Sequence, residues 1–483
     1  MSEFGQVLER RAIITSYMTM KCKLPDEILL SIQDHLFWPR QPNLLLVSRH
    51  FYQLFLPRLY HRVNLEWGYD EDRFIQFVRT ALRNPRITYS IHDIQLPEIH
   101  SWVNTPASEE QDISEFRPLI ESVCDDLDEQ RQWGKDLQLG TTDAWATLLL
   151  AKLENLRRLH IASIEVPKHL RRFLARAQDD KPPGIPILPH LEVLFIGSRG
   201  LTYPFDVSEA LPFFRLPSLR SFTAATAAET LYTDDIDAHD EDPARLRGKS
   251  KVRSLRLDQC GSSLGMRQLI TACADLESFE YQHQELFAKG DHFEDFVPAA
   301  FHSPLLTQKH SLTKLRLNDM CPHPPFQIGS EETMHNDFFG PLADFTALTE
   351  VRIRFPNLVG DCWDTELIDL LPPTLEKLYL AHCWDRKLDQ LIAQLENVVA
   401  MRDERFFGLK ELHVQPFCLK ILSKEEFNCP RSTRREPPRM SDEEVVKFYR
   451  LQTMCEHAGI DFSIDNPQFM ATRSCFLPWM HGS

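Results

Sequence analysis

One short pattern, LxxLxL with small changes in the apolar residue, returns through the last two thirds of the chain and constrains the fold more than any other feature. Its nine copies begin at Leu156, Leu191, Leu219, Val252, Leu276, Leu312, Leu348, Leu375 and Leu409. The first and last copies are 253 residues apart, so the mean spacing over eight intervals is about 32 residues. A unit of this size cannot bury its apolar side alone and must stack on its neighbours.

The segments between these copies carry apolar residues at helical spacing. In MRQLITACADL, for example, Met266, Leu269 and Ile270 fall on one face of a helix. The last unit repeats this arrangement with Phe448 and Leu451, and the strand-like segment IDFSI follows. Alternating strands and helices predict an α/β solenoid. The pattern resembles that of leucine-rich repeats, although its spacing exceeds their roughly 20 to 29 residues, so we expect insertions in an irregular array.

Cysteine usage indicates reduced thiols and no metal centre. The chain has eleven cysteines, with no CxxC pair and no regular spacing. Two repeat copies extend to LxxLxLxxC and end at Cys260 and Cys383. In leucine-rich repeats this position turns inward and bonds the backbone of the loop, so the resemblance implies structural roles for both residues. We predict neither a metal site nor a cofactor.

A different pattern occupies the segment that begins at Lys23, KLPDEILLSIQDHLFWPRQPNLLLVSRHFYQLFLPRLYHRVNL. Its apolar residues recur at helical spacing in two stripes, Ile28, Leu29, Ile32 and Leu36, then Leu44, Val47, Phe51 and Leu54. Prolines separate the stripes, so we predict two or three short helices. A unit of about 40 residues cannot bury all of this apolar surface, and part of it should pack against a partner.

This segment contains LPxEIL, then two further apolar residues one and two helical turns later, and then LLxVSRxF. That order of residues resembles the F-box. Proteins of that family dock on the small Skp-family adaptor of cullin-RING ubiquitin ligases. Carried over position by position, the resemblance implies adaptor contacts at Leu24, Pro25, Ile28, Leu29, Ile32, Leu44, Val47, Ser48 and Phe51. Phe51 stands where the family usually has tryptophan, and the loop before Leu44 lacks the usual acidic residue. The alternative is that these helices only cap the repeat array.

The combined resemblance, to F-box/leucine-rich-repeat proteins, covers nearly the whole chain. It implies an N-terminal tail at 1–22, a helical F-box at 23–62 and a leucine-rich-repeat domain at 63–483. Within that domain, residues 70–85 predict a helix, and the segment ITYSIHDIQL that comes after them predicts a strand. Three polar stretches do not fit the repeats and are predicted to be exposed or disordered loops: the acidic insertions 101–142 and 226–248 and the mixed-charge segment 423–441.

The formal net charge of −16 makes binding to nucleic acid or to an anionic membrane surface unfavourable. No apolar run reaches the about 18 residues that a membrane-spanning helix needs, and Glu and Arg interrupt the first twenty residues where a signal peptide is apolar. We therefore expect a protein of the cytoplasm, the nucleus or both.

A candidate binding surface follows from the alternation of side chains along each strand. The third, fifth and seventh positions of LxxLxL should share the concave face, while the leucines enter the core. The fifth positions read His160, Phe195, Thr223, Arg256, Glu280, Arg316, Arg352, Tyr379 and His413. The predicted substrate-binding residues are Arg256, Lys314, Arg316, Arg352, Arg354 and Tyr379, with Lys377 alongside. Arginine forks bind carboxylate or phosphate, which suggests an acidic or phosphorylated peptide. The alternative is an ordinary solvated face, neutralised by Glu280 and Glu350.

Three functional classes remain open. The first is a substrate receptor of an SCF-type ubiquitin ligase, bound to the adaptor and through it to a cullin, with no catalytic residue of its own. The second is a leucine-rich-repeat scaffold without a role in ubiquitylation. The third and most remote is a serine hydrolase, since GSSLG at 261–265 matches GxSxG with Ser263 as nucleophile. No HGGG-like oxyanion segment precedes that string, which argues against it.

Overall fold

The computed structural model describes residues 24–36, 41–65, 71–101, 112–124, 126–165, 167–178, 187–197, 204–229, 246–284, 296–319, 338–359, 365–384, 388–417 and 442–464. The chain divides into two compact units. The first comprises Met1–Ile161 and Pro167–Leu191, and the second comprises Ala162–Val166 and Glu192–Ser483. The predicted tail 1–22, the mixed-charge segment 423–441 and residues 230–245 of the second acidic insertion lie outside the described residues.

The first unit combines the predicted F-box segment with the elements that follow it. Its helices are α1 Asp26–His35, α2 Gln41–Leu44, α3 Arg49–Leu59, α4 Glu71–Arg83, α5 Pro85–Ser90, α6 Arg117–Val123, α7 Leu127–Leu139, α8 Thr142–Leu150 and α9 Lys168–Ala175. Its strands are β1 Arg62–Asn64, β2 Asp93–Leu96, β3 Ile99–His100 and β4 Arg158–Ile161. Strands β1, β2 and β4 pair in parallel, with Val63, Ile94 and Leu159 in register and buried. This apolar row is the start of the unit's core.

Helix α8 is buried along its whole length, and its one carboxylate shows how a charge is accommodated there. Asp143 accepts hydrogen bonds from the backbone N–H groups of His169, at 2.8 Å, and Leu170, at 3.1 Å. Ser101 also donates its hydroxyl to this carboxylate. A carboxylate that receives the free N–H groups at the start of a helix caps it and is itself satisfied. Asp143 therefore joins α8 to α9.

Two sequence-based predictions for this unit are wrong. Most of the described part of 101–142, predicted as an exposed acidic loop, is helical, and Trp133 and Leu137 on α7 are fully buried. Asp126 caps the start of α7, and Gly140, with φ of 80°, ends it. The first half of ITYSIHDIQL forms α5 rather than a strand, because Asn84 accepts the Arg86 N–H as a helix cap and Pro85 follows at the first helical position.

The second unit carries the repeats. Its strands are β5 Ile164–Glu165, β6 Val193–Gly197, β7 Phe205–Asp206, β8 Ser221–Ala225, β9 Ala227–Ala228, β10 Ser254–Cys260, β11 Ser278–His283, β12 Lys314–Asp319, β13 Glu350–Arg354, β14 Lys377–Trp384, β15 Glu411–Phe417 and β16 Asp461–Ile464. Its helices are α10 Arg267–Ala272, α11 Pro298–Leu306, α12 Phe355–Val359, α13 Leu367–Leu370, α14 Leu388–Ala400 and α15 Asp442–Ala458. Strands β6, β8 and β10 to β16 follow one another in a parallel sheet. Each of the nine LxxLxL copies runs into a strand, counting β4, so the predicted strands are confirmed.

A repeated backbone arrangement keeps the strands in register despite the unequal repeat lengths. The carbonyl of Glu277 accepts the N–H groups of Thr313, at 2.9 Å, and Lys314, at 3.1 Å. One repeat later, the carbonyl of Thr313 accepts those of Thr349, at 2.9 Å, and Glu350, at 3.0 Å. Because one carbonyl anchors two successive N–H groups of the next repeat, the extra residues of each repeat are placed between strands. The described repeats are therefore consistent with an irregular α/β solenoid.

The two cysteines at the ends of repeat copies are buried structural thiols, as predicted. Cys260 Sγ donates to the carbonyls of Asp258, at 3.4 Å, and Ala224, at 3.9 Å, and Cys383 Sγ donates to that of Leu380 at 3.5 Å. Burial raises the pKa of both thiols well above its ordinary value. No helix of the described residues is long and apolar enough to cross a membrane. The same residues contain no group of three or more His, Cys, Asp or Glu placed to hold a metal ion.

Candidate interaction surfaces

The fifth-position side chains of the second unit form one continuous row across its sheet. Residues paired directly across neighbouring strands are Phe195, Thr223, Arg256, Glu280, Arg316, Arg352, Tyr379, His413 and Ser463. The flanking leucines are buried and these side chains are not, apart from Thr223. The predicted column is therefore confirmed for these repeats, and Ser463 extends it. In the first unit, His160 pairs with Gln95 in the same way.

Two carboxylates, one on each neighbouring strand, flank the predicted cationic residues of β12. Glu280 on β11 bonds Lys314 Nζ, and its other oxygen lies 3.8 Å from Arg316 Nη1. Glu350 on β13 receives two hydrogen bonds from Arg316, at 2.9 Å from Nε and 2.6 Å from Nη2. Burial by itself raises the pKa of Glu280, but the bond from Lys314 and the charge of Arg316 outweigh it and leave the pKa below its ordinary value. Arg316 is thus held between two acids.

The next two strands contain a second ion pair. Lys377 Nζ on β14 donates to Glu411 Oε1 on β15 at 2.5 Å. This hydrogen bond holds the pKa of Glu411 below its ordinary value and the pKa of Lys377 above its own. His413 Nε2 lies 3.5 Å from the other oxygen of Glu411, and its Nδ1 bonds the hydroxyl of Ser463. Lys377 is therefore also neutralised within the sheet.

Arg352 has a different environment. Its guanidinium carbon lies 4.1 Å from the ring centroid of Tyr379, in a cation–π arrangement. Its Nε is buried without a hydrogen-bond partner. Tyr379 donates its hydroxyl to Gln415 Oε1 at 3.0 Å, which holds the ring. Among the described residues, no carboxylate forms an ion pair with Arg352.

The two remaining predicted cations lie on the same sheet. Arg256 Nε donates to Asp258 Oδ2, two residues along β10, at 2.8 Å. Arg354 is paired in register with the small residue Ala381 and follows Arg352 by two positions, so it faces the same side of β13. The predicted residues are thus brought together on one face, and the neutralisation by Glu280 and Glu350 that the sequence allowed is present. Arg256, Lys314, Arg316 and Lys377 all have acidic partners.

In the first unit, α1 presents a row of apolar side chains at its surface. Leu24 and Ile28 are each 48% exposed and Ile32 is 43% exposed. Ile28 and Ile32 are four apart and therefore lie one above the other on α1, whereas Leu24 precedes the helix and its cap residue Pro25. Val47, in the turn before α3, is 63% exposed. Four of the predicted adaptor contacts are consequently accessible apolar groups.

The other predicted contacts are placed differently. Pro25 is exposed, whereas Leu44 and Phe51 are half-buried, and the Phe51 ring packs edge-on against Phe55 at 5.1 Å between centroids. Ser48 accepts the backbone N–H of Phe51 and caps α3. Leu29 is 4% exposed, because it points from α1 toward the helices of its own unit. The prediction of a surface contact at Leu29 is therefore wrong, and its role is in the core.

Sequence reasoning missed two features of this unit. Leu46, beside Val47, is 84% exposed and was not among the predicted contacts, although the run Leu44 to Val47 could have suggested it. An open groove of about 570 Å³ lies between α3 and α5, lined in part by Tyr52, Pro57 and Tyr89. The residues of its two walls are 28 to 38 positions apart in the chain, so no local pattern indicates the groove.

The hydroxyl that is engaged in the GSSLG loop is that of Ser262 rather than Ser263. Ser262 is fully buried and donates to the carboxylate of Glu229, which is 8% exposed. The backbone N–H groups of Gly265, at 2.9 Å, and Met266, at 3.2 Å, donate to Ser262 Oγ. Among the described residues, no hydrogen bond from a histidine or any other side chain activates Ser263. The arrangement is that of a closed turn.

Comparison with known proteins gives a family match that lies mainly in the second unit. A family model described as a leucine-rich repeat domain matches residues 175–418, which is just over half of the chain. The match includes β6 to β15 and leaves α1 to α3 outside it. No curated protein matches the sequence.

Proposed function

This chain belongs to the leucine-rich repeat domain family, and on that premise we propose that it is a substrate-recognition subunit of an SCF-type ubiquitin ligase. Leucine-rich repeats serve as non-catalytic interaction modules, and solenoids of this kind bind partners along extended surfaces. In the proposed assembly, the helices α1 to α3 bind a Skp-family adaptor and through it a cullin. The face of the repeat sheet binds a protein substrate. We place this assembly in the cytoplasm, the nucleus or both.

The observation that carries the adaptor proposal is the exposed apolar row of α1. Ile28 and Ile32 on one face of α1, and Leu24 just before that helix, are each about half exposed, and Leu46 and Val47 are more exposed still. Burying such side chains in an interface is favourable by on the order of 1 kcal/mol each. The sequence around them resembles the F-box, whose partner is the adaptor. An apolar docking face and an F-box-like sequence thus coincide in one segment.

The first test is co-purification of the full chain with a Skp-family adaptor. Leu24, Pro25 and Ile28 are changed together to alanine, and the matched control is Leu127→Ala, which alters a leucine of α7 that is 66% exposed. We expect the triple variant to lose the adaptor and the control to retain it. Failure of the unaltered chain to bind any Skp-family adaptor would refute the proposal.

The substrate side of the proposal rests on the sheet of the second unit. Its outward row contains Arg256, Arg316 and Arg352 in a chain whose net charge is −16. Reversing Arg316 and Arg352 to glutamate should abolish retention of substrates that accumulate when the chain is deleted. Adaptor binding should be unchanged, because the altered residues lie in the other unit. Unchanged substrate retention would contradict this part of the proposal.

The proposed mechanism is positional. The chain holds a substrate near the ligase, other subunits transfer ubiquitin, and tethering raises the local concentration of acceptor lysines. Mutation of residues on the repeat sheet should therefore change which proteins are ubiquitylated without changing the intrinsic rate of ubiquitin transfer by the ligase.

A leucine-rich-repeat scaffold without a role in ubiquitylation is the second candidate. It is favoured by the family match, which includes the repeats and leaves α1 to α3 outside. Comparison of protein half-lives with and without the chain separates the two. Stabilised proteins that also bind the repeats would support the receptor, whereas adaptor binding with no change in protein turnover would support the scaffold.

A further inference from the structure

Resting on the proposed function, we propose that Arg352 and Tyr379 form a binding site for a phosphorylated side chain of the partner protein. This inference narrows the broad cationic face to one position. The other predicted cations with described partners, Arg256, Lys314, Arg316 and Lys377, bond carboxylates of the same sheet. A ligand that binds those residues must first displace an acid that is already held in place.

The charge balance of the sheet supports an anionic ligand. The outward positions of β11 to β15 contain five cationic residues, Lys314, Arg316, Arg352, Arg354 and Lys377, and three acidic ones, Glu280, Glu350 and Glu411. The net formal charge of these eight residues is therefore +2 in a chain whose total is −16, and the neighbouring Asp461 on β16 lowers it to +1. A phosphate monoester carries about −1.5 to −2 at pH 7 and is attracted to a face of this sign.

The contacts of Arg352 within the sheet also preorganise its guanidinium for such a ligand. Stacking on the Tyr379 ring at 4.1 Å fixes the plane of the guanidinium, and the hydrogen bond to Gln415 fixes the ring. Less side-chain entropy is then lost when the fork binds two oxygens. Arg316 lies directly across the strand pair, at the about 4.8 Å spacing of neighbouring strands, and Arg354 follows at about 6.6 Å along β13. The backbone positions of three arginines are thus adjacent on the outward side of β12 and β13.

Phosphate fits this position better than a carboxylate. A carboxylate ligand has a single charge and must compete with Glu280 and Glu350, which the strands already hold beside Arg316. A phosphate has higher charge and three acceptor oxygens, so it can bond Arg352 and still accept from a neighbouring arginine. We therefore expect phosphorylation of the partner to strengthen its binding.

The test measures binding of the full chain to a peptide library with phosphorylated serine, threonine or tyrosine, against the same library without phosphate. We expect phosphopeptides to be enriched and Arg352→Gln to weaken the best of them by at least about tenfold. Arg352→Lys, which keeps the charge but loses the fork and the stacking, should restore only part of the affinity. The matched control Arg253→Gln alters an arginine of the same unit that lies outside the outward row and is paired with Glu277, and it should bind as the unaltered chain does.

Competition by inorganic phosphate needs no variant and identifies the source of the anion. We expect it to displace the phosphopeptide only at a large excess, because the peptide adds contacts along the sheet. Equal affinity for free phosphate, no preference for phosphorylated peptides, or full binding by Arg352→Gln would each overturn the inference. If reversal of Arg316 and Arg352 abolishes the binding of unphosphorylated substrates, the proposed receptor function stands without this phosphate site. If that reversal has no effect and phosphopeptides are not preferred, both the receptor proposal and the phosphate site are refuted.

Discussion

Glu229 Oε2 accepts a hydrogen bond from the backbone N–H of Met266 at 2.7 Å, and the hydroxyl of Ser262 donates to the same oxygen. Met266 has a φ of 51°, a left-handed conformation that costs a residue with a side chain on the order of 1 kcal/mol. The buried carboxylate therefore stabilises the turn between β10 and α10. The same turn contains the GSSLG string, so its serines and glycines have a structural explanation.

Glu229→Gln should change how stability depends on pH. Burial raises the pKa of Glu229 above its ordinary value of 4.5, although bonds from Ser262 and Met266 oppose the rise. A raised folded pKa means that the protonated form favours folding below the unfolded pKa, and that this stability is lost as pH rises through the folded pKa. Glutamine cannot ionise, so the variant should gain stability relative to the unaltered chain over that range. Urea unfolding from about pH 4 to about pH 8 tests this, and a pH-independent difference would contradict it.

Glu280→Gln should show the opposite sign. The bond from Lys314 and the charge of Arg316 outweigh the effect of burial and hold the pKa of Glu280 below 4.5. The stability that these contacts provide is present above the unfolded pKa and is lost as pH falls through the folded pKa. We expect a loss of about 1 kcal/mol or less at pH 7, which shrinks in acid, because the site is partly exposed. Asp389→Asn, whose carboxylate is 80% exposed, is the control and should change little in urea unfolding.

Most strands could be predicted from the sequence, because LxxLxL places leucines on one side of each strand and the core must cover them. The helices of the acidic segment could not be predicted. Charged residues surround Trp133 and Leu137, the apolar pair one turn apart that α7 buries, so the segment reads as polar. Strand alternation also predicted which side chains share the outward face. It could not distinguish Arg316, which lies between Glu280 and Glu350, from Arg352, because that depends on side-chain conformation and neighbours from other repeats.

Leu29 and Ile28 are neighbours in sequence with opposite roles, and alanine substitution should separate them. Leu29 is 4% exposed, so Leu29→Ala should lower the free energy of unfolding by about 2 to 5 kcal/mol. Ile28 is 48% exposed, and Ile28→Ala should cost about 1 kcal/mol or less while weakening adaptor binding. Thermal unfolding and co-purification together make the comparison. Equal losses of stability would show that α1 buries both residues.

The buried thiols should resist alkylation in the folded protein. Burial raises the pKa of Cys260, Cys273 and Cys383 and keeps reagents from them. We expect labelling of these three positions, followed by mass spectrometry, to be slow under native conditions and complete in guanidinium. Native labelling of Cys260 as fast as in the unfolded chain would contradict the structural role of the repeat cysteine.

Two glycines with positive φ separate the cost of backbone conformation from the cost of close packing. Gly248 has a φ of 67° and open space around its Cα, whereas a Cβ on Gly265, with a φ of 75°, would overlap the backbone of Ala300. Gly248→Ala should therefore cost only the left-handed conformation, on the order of 1 kcal/mol. Gly265→Ala adds a clash with a backbone that cannot move aside easily, so we expect a further 1 to 3 kcal/mol or so in urea unfolding. Equal losses would show that the turn after β10 is open enough for a side chain, as a nucleophile loop would be, and would return Ser263 to consideration.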